Sequence, residues 1–265
     1  MPQMTADLNP APGADRATPV ATAAPPVPRR TSAWGWLVTV SASLILGVLV
    51  VGAVWWAASR QERVASYAVR GVVNGVTLDL GPASLDVVGA EEEQPLVVRR
   101  TERYSFGHRP LVTRDTTGGV LRIRARCPRS LLDSCRSAYR VSVPPNVPLT
   151  VRTTSGDVRF VDYRGSARID SQSGSISVTA FCGFALLARA TSGDVRAATS
   201  CSSERLDLRS RSGDVEALVP AGRYRVDASS DSGSARVDGV GTADDAPFEI
   251  QALSGSGDVR VQAAS

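Results

Sequence analysis

Lysine is absent from this sequence, histidine occurs once, and aromatic residues make up only 5% of the chain. The scarcity of aromatic residues predicts a core of Val, Leu, Ile and Ala, which suits thin β-layers better than a bulky globule. The single histidine, His108, leaves a His-dependent acid or base without a partner. The net charge of +4 comes from arginines interleaved with acidic residues, without a basic stripe, so nucleic acid is not a predicted partner.

One long uncharged segment lies in the N-terminal part of the chain. The stretch from Thr31 to Ser59 contains no Asp, Glu or Arg, tryptophans stand near both of its ends, and Arg29, Arg30 and Arg60 flank it. About 20 apolar residues are enough to cross a bilayer, so residues 33–59 are predicted to form a transmembrane helix whose partner is the lipid bilayer. A cleaved signal peptide is the alternative, although its apolar core spans only about 7 to 15 residues.

The segments around this helix differ in composition. Residues 1–32 are rich in Pro and Ala and lack the apolar content that offsets chain entropy, so they are predicted to be a disordered cytoplasmic tail. Residues 60–70 are predicted to be a juxtamembrane linker, and residues 71–265 an extracytoplasmic domain. Arginines are balanced on the two sides of the helix, so their distribution does not decide the orientation.

A Ser-Gly pair recurs through the C-terminal half with spacings of 18, 19, 20, 20 and 24 residues, which is typical of a repeat architecture. Apolar residues keep phase with each serine, as Leu149, Val151, Val158 and Phe160 do around Ser155. This alternation predicts one strand on each side of every corner. The predicted corners are Ser155 and Gly156, Ser173 and Gly174, Ser192 and Gly193, Ser212 and Gly213, Ser232 and Gly233, and Ser256 and Gly257.

The predicted fold is therefore all-β, a parallel β-solenoid with two-strand coils of about 20 residues, preceded by one transmembrane helix. Successive coils are expected to stack about 4.8 Å apart in chain order. Residues 147–263 are predicted to be regular repeats, and residues 71–146 irregular early coils and a cap. Stacking in chain order leaves the last coil, which ends just after Val261, as an open edge.

The four cysteines form two candidate disulfides. Cys182 and Cys201 each lie nine residues after a corner serine, so stacking brings them within about 5 Å, a Cα separation that a disulfide spans. Cys127 and Cys135 flank one short loop. Two pairs without a leftover thiol indicate an oxidising compartment, which predicts a membrane protein with its N-terminus cytoplasmic and its C-terminal domain extracytoplasmic. Four free cysteines in a cytosolic domain are the alternative.

No catalytic, cofactor-binding or metal-binding residues are predicted, since a nucleophile elbow, a phosphate-binding loop and a Cys-x-x-Cys pair are all missing from the sequence. The best enzyme hypothesis rests on a column of carboxylates that follows the corner glycines, because stacked carboxylates can cleave sugars. Ser175 and Ser234 interrupt this column, and turn capping by each aspartate is the structural alternative. The column consists of Asp157, Asp194, Asp214 and Asp258.

Outward-facing arginines on the strands after the corners form the candidate ligand face. Similar arginines, Arg152, Arg189 and Arg209, precede the corners. Anionic polymers of the cell envelope, or another envelope protein, are the partners that such faces predict. A solvated sheet face protected against aggregation explains the same charges without a ligand. The candidate ligand face consists of Arg159, Arg196, Arg236 and Arg260.

Three segments carry a resemblance to a large family of bacterial envelope proteins known as "putative adhesins" of unknown function. They are Val76-Thr77-Leu78-Asp79-Leu80-Gly81, Val143-Pro144-Pro145-Asn146-Val147-Pro148-Leu149 and Thr154-Ser155-Gly156-Asp157-Val158. The resemblance covers roughly residues 70–263 and implies a membrane helix joined to a β-solenoid. It implies no catalytic residues.

Three functions follow as hypotheses. The first is a non-enzymatic, membrane-anchored scaffold, adhesin-like, that binds or organises cell-envelope components. The second is an accessory protein in envelope-stress sensing or signalling, for which the resemblance offers only an analogy. The third is a carbohydrate-active enzyme that uses the aspartate column.

Overall fold

The computed structural model describes residues 33–58, 61–69, 71–104, 109–128 and 135–264. The predicted tail, Arg60 and His108 lie outside the described residues. One helix, α1, covers Ala33–Ala58 and contains no acidic residue in its first turn and no basic residue in its last. Every other element is a strand.

The described residues contain twenty strands, and all but β18 are four to nine residues long. They are β1 Gln61–Ala68, β2 Gly75–Asp79, β3 Ala83–Gly89, β4 Val97–Tyr104, β5 Leu111–Thr117, β6 Val120–Arg126, β7 Cys135–Val143, β8 Leu149–Ser155, β9 Val158–Val161, β10 Ala167–Ser173, β11 Ile176–Phe181, β12 Ala185–Ser192, β13 Val195–Thr199, β14 Arg205–Ser212, β15 Val215–Val219, β16 Arg223–Ser230, β17 Ala235–Asp238, β18 Gly241–Thr242, β19 Glu249–Ser256 and β20 Val259–Ala263.

These strands form two sheets of ten. Sheet A has the order β1-β4-β7-β3-β9-β11-β13-β15-β20-β17, and sheet B has the order β18-β16-β19-β14-β12-β10-β8-β2-β6-β5. Each coil contributes one strand to sheet B, turns at a Ser-Gly corner in the repeat region, and contributes the next strand to sheet A. Pairing between coils is parallel and in register, so Ile169 of β10 lies between Val151 of β8 and Ala188 of β12.

The inward side chains of the stacked coils form one aliphatic core. In the four coils from β8 to β15, the apolar residues that flank each corner are buried, as the repeat predicts. Tyr163, Phe181 and Tyr224 add aromatic rings where the chain passes from one coil to the next. The predicted parallel β-solenoid is therefore confirmed, and it is stabilised by side chains that only a neighbouring coil can cover.

The coils are not stacked in chain order, and here the prediction was wrong. The last coil, β19–β20, inserts between β14–β15 and β16–β17. All coils share one phase, so either order gives the same register, and the long connection 239–248 allows the chain to return. The open edge therefore belongs to the coil of Ser232, whose Ala235 and Val237 are exposed although burial was expected.

The N-terminal end has the same inversion together with a cap. Coil β2–β3 lies between β6–β7 and β8–β9, in parallel register with both. Strand β4 then pairs antiparallel with β7 and β1 pairs antiparallel with β4 at the edge of sheet A, and β5 extends sheet B antiparallel to β6. The predicted linker 60–70 is thus corrected, because Gln61–Ala68 is an edge strand. The sequence did not indicate this strand, because an edge strand needs few apolar side chains and β1 is mostly exposed.

Candidate functional site

A column of glycines forms the corners of the solenoid. Gly156, Gly174, Gly193, Gly213 and Gly257 have φ values from 140° to 154°, which residues with a Cβ rarely adopt. The next coil is also close, because a Cβ on Gly193 would lie 2.6 Å from the carbonyl oxygen of Gly174. Both the conformation and this approach require glycine, so the repeated Ser-Gly pair records a requirement of the fold.

The aspartate column forms a ladder of hydrogen bonds between coils. The Oδ1 atom of Asp157 accepts a bond of 3.0 Å from the backbone N–H of Ser175, and that of Asp194 accepts one of 3.0 Å from Asp214. Asp214 accepts from Asp258 at 2.8 Å. The carboxylates therefore join neighbouring corners. This supports turn capping by the aspartates, although each one caps the corner of the adjacent coil.

Asp258 stands where this ladder ends. Its Oδ1 accepts the backbone N–H and the hydroxyl of Ser234, both at 2.9 Å. The backbone bond, followed by the hydroxyl bond, lowers the pKa of Asp258 below its ordinary value. A glycosidase needs one carboxyl group with a raised pKa as its general acid, so the shift at Asp258 is in the opposite direction.

A second ladder lies just inside the first, and sequence reasoning missed it. The hydroxyls of Ser210, Ser254 and Ser230 donate bonds of 2.7–2.8 Å to corner glycine carbonyls of the neighbouring coil. Thr153 donates in the same way to Gly81 at 2.8 Å. The available signal was a Ser or Thr two residues before five of the six corner serines, with Ala190 as the exception.

The candidate ligand face lies on the outer side of sheet A, but its four arginines do not form one patch. Asp86 lies between Arg140 and Arg159, at 3.6 and 3.7 Å from them. Arg196 contacts Glu216 at 3.4 Å. Only Arg236 and Arg260 are direct neighbours in the sheet. The arginines therefore stand in a row of mixed charges, which suits a solvated sheet surface, and a ligand at this face stays a prediction.

The outer side of sheet B has a polar network that the sequence did not reveal. Asp207 has a side chain only 1% exposed, although it alternates with core residues Leu206 and Leu208. Its carboxylate is 3.2 Å from the Nη2 atom of Arg189 and 2.6 Å from the Nε atom of Arg209. Arg209 also donates to Gln251. The two guanidinium groups thus cover a buried carboxylate and are held rigidly.

Two neighbouring depressions flank this network. The first has a volume of about 340 Å³ and is lined by Arg152, Thr154, Gln172 and Thr191, among others. The second, of about 420 Å³, shares Thr191 and contains Arg211. Neither Arg152 nor Arg211 has an ion-pair partner among the residues that the structure describes. We call the surface formed by these five residues the sheet B groove. It combines guanidinium groups with hydroxyl and amide groups, and the lining also contains Asp79 and Asp170, which stand on either side of Arg152 in the sheet.

Both candidate cysteine pairs are disulfides in the structure. Cys182 and Cys201 have a Cα separation of 5.1 Å, and Cys127 and Cys135 one of 5.8 Å. The first joins two adjacent coils and the second joins β7 to the segment after β6. Within the described part of the chain, no group of three or more His, Cys, Asp and Glu side chains converges as a metal site.

Helix α1 contains a segment, Trp36–Ala57, of 22 residues that is long and apolar enough to cross a membrane. Length and composition alone support this statement. A signal sequence near the N-terminus has the same properties.

These features define the class of the protein: a two-sheet parallel β-solenoid preceded by one apolar helix. Residues 146–265 match the model of the Toastrack DUF4097 family, and the resemblance to "putative adhesins" of unknown function is confirmed. The match begins at 146, whereas the solenoid itself begins upstream. Among curated proteins, none matches the chain.

Three solved structures illustrate what the chain is similar to. A "putative cell adhesion protein" from Clostridium sporogenes is 11% identical, with a TM-score of 0.45, over 77% of this chain and 100% of that one. A "putative adhesin" from Bacteroides fragilis is 11% identical, with a TM-score of 0.42, over 77% and 97%. A "putative lipid binding protein" from Parabacteroides distasonis is 10% identical, with a TM-score of 0.29, over 78% and 97%. Scores this low define neither a function nor a ligand for this chain.

Proposed function

We propose that this protein is a membrane-anchored, extracytoplasmic scaffold that is adhesin-like and non-enzymatic, and that its solenoid binds anionic polymers of the cell envelope. The observation that carries the proposal is the sheet B groove. There Arg152 and Arg211 lie beside hydroxyl and amide groups, and neither has an ion-pair partner among the described residues. Guanidinium groups bind carboxylate and phosphate oxygens in pairs of hydrogen bonds, and the neighbouring hydroxyls match sugar hydroxyls.

The anchor and the orientation are parts of the same proposal. Residues 33–59 act as an uncleaved membrane anchor, supported by the length and composition of α1. Two disulfides and no free cysteine favour an oxidising compartment for the solenoid, which supports a cytoplasmic location for residues 1–32 in this proposal. In this arrangement the solenoid is a rigid surface displayed outside the cell membrane.

The corner ladders support a role that does not depend on catalysis. Asp157, Asp194, Asp214 and Asp258 all have an oxygen engaged by a backbone N–H of the adjacent coil. Their removal is therefore expected to weaken the joints between coils. The proposal expects the double variant Asp194→Ala and Asp214→Ala to show reduced stability, and it expects no turnover of envelope polysaccharide by the wild-type protein.

Binding is tested with the full chain in detergent micelles and immobilised alginate, a polymer of uronic acids, with neutral dextran as the control polymer. We expect the double variant Arg152→Gln and Arg211→Gln to lose about thirtyfold or more in affinity for alginate, since each of the two lost charge-assisted contacts contributes about 1 kcal/mol or more. The matched control is Arg159→Gln with Arg196→Gln, which removes the same charge from sheet A.

Equal losses in the two double variants would contradict the groove and indicate attraction by net charge alone. Turnover of the polymer that Asp194→Ala and Asp214→Ala abolish would favour the enzyme hypothesis. Deletion of residues 1–28 separates the scaffold from a signalling accessory protein, because only the accessory protein needs its tail for an envelope-stress response in cells.

A further inference from the structure

The far side of β17 is an unpaired sheet edge. Sheet A ends at this strand, Ala235–Asp238, and no described strand pairs with its outer side. At the opposite end of the same sheet, β7 is covered by the antiparallel strands β4 and β1. On sheet B, β18 pairs with only the first two residues of β16. The C-terminal end therefore lacks the strand that would close it.

The backbone of β17 shows which groups this edge offers. The carbonyl of Ser234 accepts from Val259 on the inner side. Because backbone groups alternate along a strand, Arg236 also faces β20, and the N–H and C=O groups of Ala235 and Val237 face outward. The side chain of Val237 is 38% exposed, whereas its neighbour in the core, Val261, is 0% exposed. Both hydrogen-bonding groups and apolar surface are thus left uncovered.

The charges on β17 are complementary to a reversed copy of the same strand. If two copies pair antiparallel about a two-fold axis at Val237, Arg236 of each copy stands opposite Asp238 of the other. Val237 then exchanges two backbone hydrogen bonds with its own counterpart, and the Arg–Asp pair occupies the non-hydrogen-bonded position, where Cα atoms approach to about 4.5 Å. An axis at Arg236 would instead place arginine opposite arginine, which opposes pairing.

Arg236 and Asp238 are also available for such contacts. Neither has an ion-pair partner within the part of the chain that the structure describes. The same triplet occurs in β16 as Arg225-Val226-Asp227, but there Arg225 contacts Glu249 at 3.4 Å and Asp227 accepts from Gln251. The charged pair of β17 is therefore the one left for an external partner.

We infer that two copies of this chain associate through their C-terminal ends, with β17 pairing antiparallel to β17 of the second copy about a two-fold axis at Val237. Sheet A then continues through the dimer, and the exposed apolar side chains of Ala235 and Val237 are covered. This inference goes beyond the proposed function and does not depend on the polymer that the scaffold binds.

The test uses the full chain in detergent micelles, with its mass measured by light scattering over a range of concentrations. The wild type is expected to have the mass of two chains. Arg236→Asp places acid opposite acid twice in each dimer, and Asp238→Arg places base opposite base, so each is expected to raise the dissociation constant about tenfold or more. The double variant Arg236→Asp with Asp238→Arg restores both pairs and is expected to restore the dimer.

Mixing gives the sharpest result, since Arg236→Asp and Asp238→Arg chains are complementary to each other and should form a mixed dimer. The control Arg164→Asp makes the same charge change at an exposed position in the connection between β9 and β10 and should leave the mass unchanged. A monomeric wild type at every concentration would overturn the inference, and would indicate that short length and charge protect this edge. A dimer that none of the β17 variants weakens would overturn it as well, and would place the contact elsewhere, for example in α1.

Discussion

The two ends of the solenoid are built on the same inversion but finished differently. At each end the outermost coil, β6–β7 or β16–β17, lies beyond a coil nearer to the chain terminus, β2–β3 or β19–β20. At the N-terminal end, antiparallel strands then cover the core, and Glu102 of β4 is only 3% exposed. At the C-terminal end, sheet A stops at β17. The repeated pattern of apolar residues therefore accounts for the stacked coils, whereas covering an end of the stack requires strands that do not belong to the repeat.

Adding one methyl group to a corner glycine in the repeat region should destabilise the protein much more than adding one to a turn glycine in the cap. Gly193→Ala places a Cβ 2.6 Å from the carbonyl oxygen of Gly174 at a φ of 142°, so we expect a loss of about 3 kcal/mol or more in the free energy of unfolding. The control, Gly118→Ala, lies in the β5–β6 turn at a φ of 61° with no atom within 4 Å, and should lose about 1 kcal/mol. Urea unfolding of the full chain in detergent measures both, and equal losses would contradict the glycine column.

Truncating a side chain to alanine should lower the free energy of unfolding more at the N-terminal end of the solenoid than at the C-terminal end. Glu102 contacts Arg100 at 2.8 Å inside the cap, so Glu102→Ala leaves a largely buried guanidinium unpaired and should cost about 3 kcal/mol. Val237→Ala at the open end removes side-chain atoms that are partly in water, and should cost about 1 kcal/mol or less in monomeric protein.

A double variant controls for the buried pair. Arg100→Met with Glu102→Leu replaces both charges by apolar groups, and it should recover much of the stability lost by Glu102→Ala. Thermal unfolding of dilute protein compares the variants. If Val237→Ala destabilised the protein as much as Glu102→Ala, the C-terminal end would be covered by something in the monomer.

The repeat region could be predicted from the sequence because apolar residues recur at the same distances from every corner serine. Val195 and Ala197 follow their corner, as Val158 and Phe160 follow theirs, so the phase identified strands, corners and core together. The Cys182–Cys201 contact followed from the same phase. What phase could not supply was the order of the coils, because β19 has the same register against β14 that β16 would have had.

The irregular and the electrostatic features were less predictable for a different reason. Strand β5 is exposed along most of its length and β1 is rich in charge, so neither has the apolar alternation that marks a half-buried strand. The burial of Asp207 depends on Arg209 in the same strand and on Arg189 of the neighbouring coil, which meets it only in space. The row of charges on sheet A likewise depended on Asp86, which precedes the repeat by more than sixty residues.

Alkaline pH should weaken the capped end. Burial raises the pKa of Tyr139 to about 12 from its ordinary value of 10. A raised pKa means that the stabilising contribution is complete below the unfolded value and is lost as pH rises through the folded value. The free energy of unfolding should therefore fall between pH 10 and 12, by about 2 kcal/mol for this group. Tyr139→Phe should reduce the fall without abolishing it, because burial also raises the pKa of Tyr67 and Tyr163. An unchanged fall would assign it to those two residues.

Acid should act on the opposite end, and more weakly. Hydrogen bonds from the backbone N–H and hydroxyl of Ser234 lower the pKa of Asp258, so its contribution is present above the unfolded pKa, about 4, and is lost as pH falls through the folded one. Because this carboxylate is exposed, water screens the effect, and it should be smaller than the effect of Tyr139. Asp258→Asn keeps an oxygen acceptor at the position but cannot titrate, so the acid dependence of unfolding below pH 4 should become shallower while stability at pH 7 changes little. Asp231→Asn, which removes an exposed carboxylate from the same coil end outside the ladder, is the matched control. If both variants reduced the acid dependence of unfolding equally, the general charge at the open end would explain that dependence. The hydrogen bonds from Ser234 to Asp258 would then not be what holds β17 onto the solenoid.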